Sequence, residues 1–463
     1  MRFFFGIIGF ALVISAAVGL PLAWDGSAIL YEILDYQFPI FVLSRYAMIP
    51  MNWLVLQVSY VTDNIPFLIF TFSSVYLFLT ALALALCWLI VRREQRARPL
   101  FVWAALSLGL VSLPAQASIM AQAVIAVQMF WVIVMALLIG LPRWTLVLVV
   151  PVALFIFFLH PVAVLLFAAA AASALFLGWR QGAPRRALWL GAAAFALLAL
   201  TAFARFQTLV SPYESEALTF HTLVAQFNAG VRGYVLIAYV LTLVGAGLIF
   251  FEPWLARLPF ASARRVQLTA LVCIGGAGVA MVYWATSPIR WARATDYRTW
   301  LFFLTLPFVI LALAEAQRSW HAANFSPETF ARLEAQRVRI AQGIAIVFLA
   351  VLAVQSFVWL NLSTQLRATV TSNAPACIPF ETLGWLHGTM LDHWSVTSYS
   401  LLLQGRAPTR FVLRGLECER ADFEKGIPYA IYAPDKINYR PWTLGWFDLG
   451  ALEHKLNNRP PNP

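Results

Sequence analysis

Residues 67–91 read FLIFTFSSVYLFLTALALALCWLIV, without a single charged side chain, and are followed at once by Arg92, Arg93, Glu94, Gln95 and Arg96. At about 1.5 Å of rise per residue, such a stretch as helix reaches about 37 Å, more than the roughly 30 Å of hydrocarbon in a bilayer. The basic cluster directly after it is what a chain shows where it leaves a membrane on the cytoplasmic side.

Working outward, comparable apolar stretches lie near 4–23, 100–117, 119–140, 144–159, 161–178, 187–204, 233–251, 267–286, 301–315 and 340–360, which with 67–91 predicts about eleven transmembrane helices. The composition agrees: 61% of the 463 residues are hydrophobic and 11% charged, against about a quarter charged in an ordinary soluble domain. So few charges cannot cover a water-soluble fold. The start, Met1-Arg2 and an apolar run, resembles a secretory signal peptide, but its continuation through Leu22 to Trp24 favours an uncleaved first helix.

The formal charge of +11 sits mostly in the loops between apolar stretches. With the N-terminus inside, the inside segments carry 16 arginines, and the outside loops before residue 361 carry six: Arg45, Arg205, Arg232, Arg290, Arg293 and Arg298. This asymmetry predicts a multi-pass protein of the cytoplasmic (inner) membrane with its C-terminal portion outside. The basic excess is thereby a topology signal, and nucleic acid is not an expected partner. Inside, Ser326-Pro327-Glu328-Thr329 reads as the capped start of a separate amphipathic helix lying on the membrane.

Composition changes abruptly after Leu360. All three lysines, Lys425, Lys436 and Lys455, lie beyond it, together with strand-like segments such as Arg410-Phe411-Val412-Leu413. The expected architecture is therefore an all-α membrane helix bundle over 1–360, with a long first outside loop at 24–66, and a small mixed α/β domain over 361–463 outside the membrane. Of the four cysteines, Cys87 and Cys273 fall in predicted helices and read as buried apolar groups. Cys377 and Cys418 both fall outside, in an oxidising compartment, and are expected to pair.

The outside loops hold the candidate chemistry. The first opens with Trp24-Asp25-Gly26-Ser27, where an acid at a helix exit can accept a proton from a hydroxyl and a glycine can admit a substrate to the backbone. The same aspartate also suits a helix start, since Gly26–Gln37 looks helical. Glu32 and Asp35 follow at offsets that put all three acids on roughly one helical face. Three carboxylates can hold a divalent cation, although neither an adjacent acid pair nor a histidine accompanies them. Phe38–Tyr60, with Arg45, Asn52 and Gln57, is too polar to span and reads as one or two interfacial helices.

The late outside loop, 287–300, is basic: Arg290, Arg293 and Arg298 surround Asp296, and Trp291, Tyr297 and Trp300 interleave. Guanidinium groups bind phosphate through paired donors, and they also meet anionic lipid headgroups. In the middle loop, Tyr213, Glu214, Glu216 and His221 could contact a polar ligand or stay solvated, and His160 marks a tight turn between two helices. His387, Asp392 and His393 lie close in sequence, without the further spaced ligands of a metal site.

With the acidic first loop beginning Trp24-Asp25-Gly26, the interfacial segment, the basic late loop and the outside C-terminal region, the chain resembles the C-type glycosyltransferase superfamily. The resemblance covers most of the chain as architecture, and its residue-level core is confined to Trp24-Asp25-Gly26 and the acids that follow. It implies transfer of a sugar from a polyprenyl-phosphate carrier to a glycan, lipid or protein acceptor. Asp25 would be the catalytic base, and Arg290, Arg293 and Arg298 would hold the carrier phosphate. Glu32, Asp35, Arg45, His160, Tyr213, Glu214, His221, Asp296 and Tyr297 are further candidates for substrate contact. Many members place two acids adjacent or one residue apart, whereas Gly26 and Ser27 follow Asp25 here. A lipid-linked oligosaccharide polymerase or ligase shares the helices and outside arginines, and a non-catalytic assembly subunit needs neither charged loop. A transporter would place ionisable groups in the spans, which are nearly free of them.

Overall fold

The structure is a computed structural model that describes residues 1–23, 25–39, 45–109, 122–180, 185–209, 234–255, 263–286, 301–321, 327–372, 375–391, 396–413 and 446–448. Among these residues the chain forms α1 (Arg2–Ala17), α2 (Asp25–Tyr36), α3 (Ile49–Ser59), α4 (Ile65–Arg92), α5 (Phe101–Ser107), α6 (Gln122–Leu138) and α7 (Leu146–Leu159). There follow α8 (Ala163–Arg180), α9 (Arg185–Leu209), α10 (Tyr234–Leu255), α11 (Ala263–Thr286), α12 (Leu301–His321), α13 (Pro327–Thr371) and α14 (Val396–Leu402). Two three-residue strands, β1 (Cys377–Pro379) and β2 (Phe411–Leu413), pair in parallel, Cys377 opposite Phe411. Among the described residues the fold is all-α but for this pair, and the strand-like segment at 410–413 is where β2 lies.

Three stretches, Ile65–Arg92, Arg186–Thr208 and Phe330–Thr371, are long and apolar enough to cross a membrane, and several shorter apolar helices accompany them. Large apolar side chains such as Phe78, Leu200, Leu271, Val272 and Phe357 point outward, which suits a lipid surface and not water.

The centre of the bundle is α6. All 17 of its residues are buried, as expected of a helix apolar on every side. It packs against α4, α7, α8 and α12. One polar residue in its middle, Gln128, accepts a hydrogen bond from Thr80 Oγ1 of α4 at 2.9 Å. Elsewhere α8 packs along α9, α10 along α11, and α1 along both α4 and α13.

Two expectations about helix boundaries are corrected. The first apolar stretch is not helical through residue 23: α1 ends at Ala17, Gly19 adopts φ +72°, and Leu20–Leu22 form a 3-10 turn. Glycine takes that left-handed conformation at little steric cost, and Pro21 suits the start of the new turn. The amphipathic segment after Ser326 is not a separate element either. It forms the first turns of α13, a single helix of 45 residues. No proline interrupts it after Pro327, and at about 1.5 Å per residue it is about 67 Å long, more than twice a hydrocarbon layer. It therefore passes unbroken through residue 360, where the composition changes.

Ion pairing ties the far end of the bundle. Glu315 of α12 pairs with Arg337 of α13 at 3.2 Å, and Trp103 Nε1 of α5 donates to the same carboxylate at 2.5 Å. The Arg337 guanidinium also lies 5.2 Å from the centre of the Trp103 ring. Arg93 lies over the Trp144 ring at 4.5 Å.

Replacing Thr80 by valine keeps the shape and removes the hydroxyl from Gln128. Cross-helix hydrogen bonds in membranes contribute about 0.6 kcal/mol on average and at most about 1.7, so unfolding in detergent should shift by about that amount. An unchanged unfolding midpoint would show that the pair contributes nothing to the bundle.

Candidate functional site

Helix α2 carries the acids, and its local sequence explains its start and its stop. The chain emerges from the 3-10 turn in extended form at Ala23 and enters α2 with Asp25 in the first turn. A carboxylate there faces the positive end of the helix dipole. Gly26 sits directly under the carbonyl oxygen of Pro21, so that any Cβ at this position would overlap that oxygen. Trp24 lies outside the described residues. The expectation that Gly26 opens the backbone to a substrate is therefore corrected: the chain's own Pro21 carbonyl occupies the space. At the other end Gln37 adopts φ +48°, and its side-chain amide donates to the Leu34 carbonyl at 2.6 Å, satisfying one of the acceptors a helix end leaves open.

The three acids share α2 as the sequence predicts, but they do not form an exposed acidic face. Asp25 is only 4% exposed and Glu32 9%, and every residue from Asp25 to Leu34 is buried. A helix of 12 residues is marginal alone; here the bundle supports it on one side and the C-terminal segment covers it on another. Helix α14 packs on α2, and Phe447 stacks on Tyr31 with ring centres 4.8 Å apart.

Asp35, one turn after Tyr31, is half-buried, and its Oδ1 has no hydrogen-bond partner. Burial raises its carboxyl to about pH 7 from the ordinary 3.8. The Tyr31 hydroxyl is also pushed well above its usual range, first by burial and then by the charges of Asp35, Tyr36 and Glu32. Among the described residues no three His, Cys, Asp or Glu side chains converge closely enough to hold a metal ion. The offsets that share a helical face do not by themselves make a ligand set, because 7 and 10 residues separate Glu32 and Asp35 from Asp25 along the axis.

The remaining candidates divide. Arg45 donates through Nη1 to Gln122 Oε1 at 2.7 Å, which ties the first loop to the start of α6. His160 serves its own turn: its Nδ1 accepts from the Val162 amide at 3.1 Å. Cys377 is in a disulfide, whereas Cys87 and Cys273 are free thiols; Cys418, its expected partner, lies outside the described residues. So do Arg290, Arg293 and Arg298, and so do Tyr213, Glu214, Glu216, His221, Asp296 and Tyr297, as well as Asp392 and His393. His387 stacks on Phe380 at 4.9 Å.

Several contacts around the site were not foreseen from sequence. Arg205, read only as a loop charge, donates through Nη1 to the Phe157 carbonyl at 2.7 Å and lies 5.0 Å from the Phe158 ring centre, capping the last turn of α7. Asn52 of α3 accepts from Tyr76 of α4 at 2.7 Å. Tyr399 of α14 donates to Ser363 of α13 at 2.7 Å and packs on Trp359, whose indole N–H donates to the Val18 carbonyl at 3.0 Å. A lone Asn, Tyr or Trp beside an apolar run was the available signal, but sequence spacing does not reveal which helix supplies its partner.

Comparison with family models, with curated proteins and with solved structures gives no match to this chain.

Because the folded chain holds the Asp35 proton more tightly than the unfolded one, its contribution to stability is fully present below about pH 4. That contribution is lost as pH rises through about 7. Asp35→Asn removes the ionisation. Between pH 5 and 8 the variant should lose less of its thermal midpoint than the wild type, and equal losses would show that Asp35 does not titrate in this way.

Proposed function

We propose that this chain is a glycosyltransferase of the cytoplasmic membrane that moves a sugar from a polyprenyl-phosphate carrier to an acceptor at the outer face. The observation that carries the reading is helix α2, which holds Asp25 in its first turn, buried and enclosed between the bundle and the C-terminal segment. A carboxylate removed from bulk water, beside the exit of the first helix, suits proton transfer next to a lipid-borne donor.

In this reading Asp25 takes the proton of the acceptor hydroxyl as its oxygen bonds to the anomeric carbon. The bond from that carbon to the carrier phosphate breaks, and the lipid phosphate leaves. Arg293, with Arg290 or Arg298, neutralises the charge that develops on it. The proposed topology is about eleven spans, with the N-terminus inside and residues 361–463 as an outside domain. It draws on the arginine asymmetry and on the three long apolar helices.

A second reading, a non-catalytic assembly subunit, is favoured by the Pro21 carbonyl that fills the space beside Gly26. In that case Asp25 only begins a buried helix.

Two experiments decide. Asp25→Asn nearly preserves volume and removes the proton acceptor, so transfer from a verified lipid-linked sugar should fall by about a hundredfold or more, while the protein still inserts and binds donor. Arg293→Ala should instead weaken donor binding. Near-normal turnover in Asp25→Asn would reject the base assignment, and full turnover in both variants would favour the assembly subunit. For the topology, a reporter fused after Pro463 should be accessible outside and one inserted near Gln181 should remain inside; the reverse pattern would overturn it.

A further inference from the structure

Where α4 stops, the arginines fall into two groups. Two of the arginines at this end reach acids of neighbouring helices: Arg337 pairs with Glu315 at 3.2 Å, and Arg98 lies 3.8 Å from Glu334. Four others do not. Arg92, Arg93 and Arg96 lie at the end of α4 and in the 3-10 turn Gln95–Leu100, and Arg143 lies in the turn between α6 and α7. All four are exposed, and among the described residues none is within ion-pair distance of a carboxylate. Glu94, the acid nearest to them in sequence, is exposed as well and pairs with none of them.

The two stretches meet at one indole. The Arg93 guanidinium lies 4.5 Å from the centre of the Trp144 ring, reaching from the end of α4 to the start of α7. Trp144 is presented by a turn that its own hydrogen bonds fix, since the Leu141 amide donates to the Ala136 carbonyl at 2.9 Å and the Thr145 hydroxyl to the Pro142 carbonyl at 2.7 Å. On the other side Arg98 Nε donates to the Arg92 carbonyl at 3.1 Å and folds the segment after α4 back on the helix end. Arg143 flanks the indole by sequence and Arg93 by stacking.

Beyond Trp144, α7 turns an apolar stripe outward: Val147, Val150, Leu154 and Phe158 are exposed. Val147 and Phe158 are 11 residues apart, or about 16 Å along a helix, which is about the depth of one leaflet in a hydrocarbon layer of roughly 30 Å. Indole rings favour the boundary between hydrocarbon and headgroups, so the arginines beside this one stand at the level of lipid phosphate. The preference for arginine on the inner side accounts for the charge. It does not account for two arginines gathered at one ring and left without acids while their neighbours are matched.

We propose that Arg93, Trp144 and Arg143 form a binding site for the phosphate of an anionic phospholipid of the phosphatidylglycerol type, with an acyl chain lying along the exposed stripe of α7. Guanidinium forks suit phosphate oxygens, and Arg92 and Arg96 add to the local positive charge. The occupant is a lipid rather than a soluble anion, because an apolar stripe of leaflet depth begins where the arginines end. The site stands apart from sugar transfer and takes only its leaflet, the inner one, from the orientation proposed above.

The experiment titrates the full-length, delipidated protein in non-ionic detergent with phosphatidylglycerol, and separately with phosphatidylcholine, and counts bound lipid by native mass spectrometry. An arginine near an anionic headgroup strengthens binding about fivefold, so Arg93→Gln with Arg143→Gln should weaken phosphatidylglycerol binding about twenty-five-fold. Arg332→Gln with Arg339→Gln removes the same charge from exposed positions of α13 and should change it less than about twofold. Equal losses in the two double variants would show diffuse attraction and overturn the site. Equal binding of phosphatidylcholine would overturn the anionic headgroup. Displacement of the lipid by inorganic phosphate, at an ionic strength matched with sodium chloride, would overturn the lipid as occupant. Wild-type dimers that disappear in the Arg93 and Arg143 variant while lipid binding persists would assign this face to a second copy of the chain instead.

Discussion

A helix with no outward face constrains everything around it. Each of the residues of Gln122–Leu138 is buried, so neighbours must close around α6 on all sides, and α4, α7, α8 and α12 do so. In a lipid setting apolar residues gain little by leaving hydrocarbon for protein. Close packing and the few polar pairs must then fix which helix lies where. Thr80 and Gln128 set the level of α4 against α6, and Arg45 and Gln122 set the level of the first loop against the start of α6. The position of α2 follows from these two levels, because the chain reaches α2 from α1 and leaves it toward Arg45.

Placing acids on a buried helix carries a cost that the fold offsets unequally. Asp25 has the helix dipole in its favour and Asp35, in the last turn, has it against. Burial adds to the disadvantage of Asp35 and accounts for its raised carboxyl. The cover supplied by α14 and Phe447 is thus not neutral packing. It stabilises a short helix through apolar contact, with Phe447 lying on Tyr31 one turn before Asp35.

Much of the architecture was legible because it rests on local signals. The charge-free run at 67–91 ends at Arg92 and Arg93, and α4 ends at Arg92. Gly26–Gln37 reads as helical and α2 spans Asp25–Tyr36; the β-like stretch at 410–413 contains β2. What was not legible depends on contact between distant parts of the chain. That Gly26 answers Pro21, that α2 is covered, and that Arg406 meets Asp63 across 343 positions cannot be read from periodicity. The merging of two expected helices into α13 is a different kind of miss. The polar first turns and the apolar middle of α13 read as two elements, although a change of composition without a proline does not interrupt backbone hydrogen bonding.

That unbroken α13 makes the molecule a lever. Arg337 is anchored near one end of the rod by Glu315, and Ser363 is anchored near the other by Tyr399. The two points are 26 residues apart, or about 39 Å along a straight helix, so a tilt of about 5° about Arg337 carries Ser363 through roughly 3 Å. A displacement of that size exceeds the tolerance of the Tyr399–Ser363 hydrogen bond. A small tilt about this part-buried ion pair therefore becomes a larger displacement at Ser363, where α13 meets Tyr399 of α14.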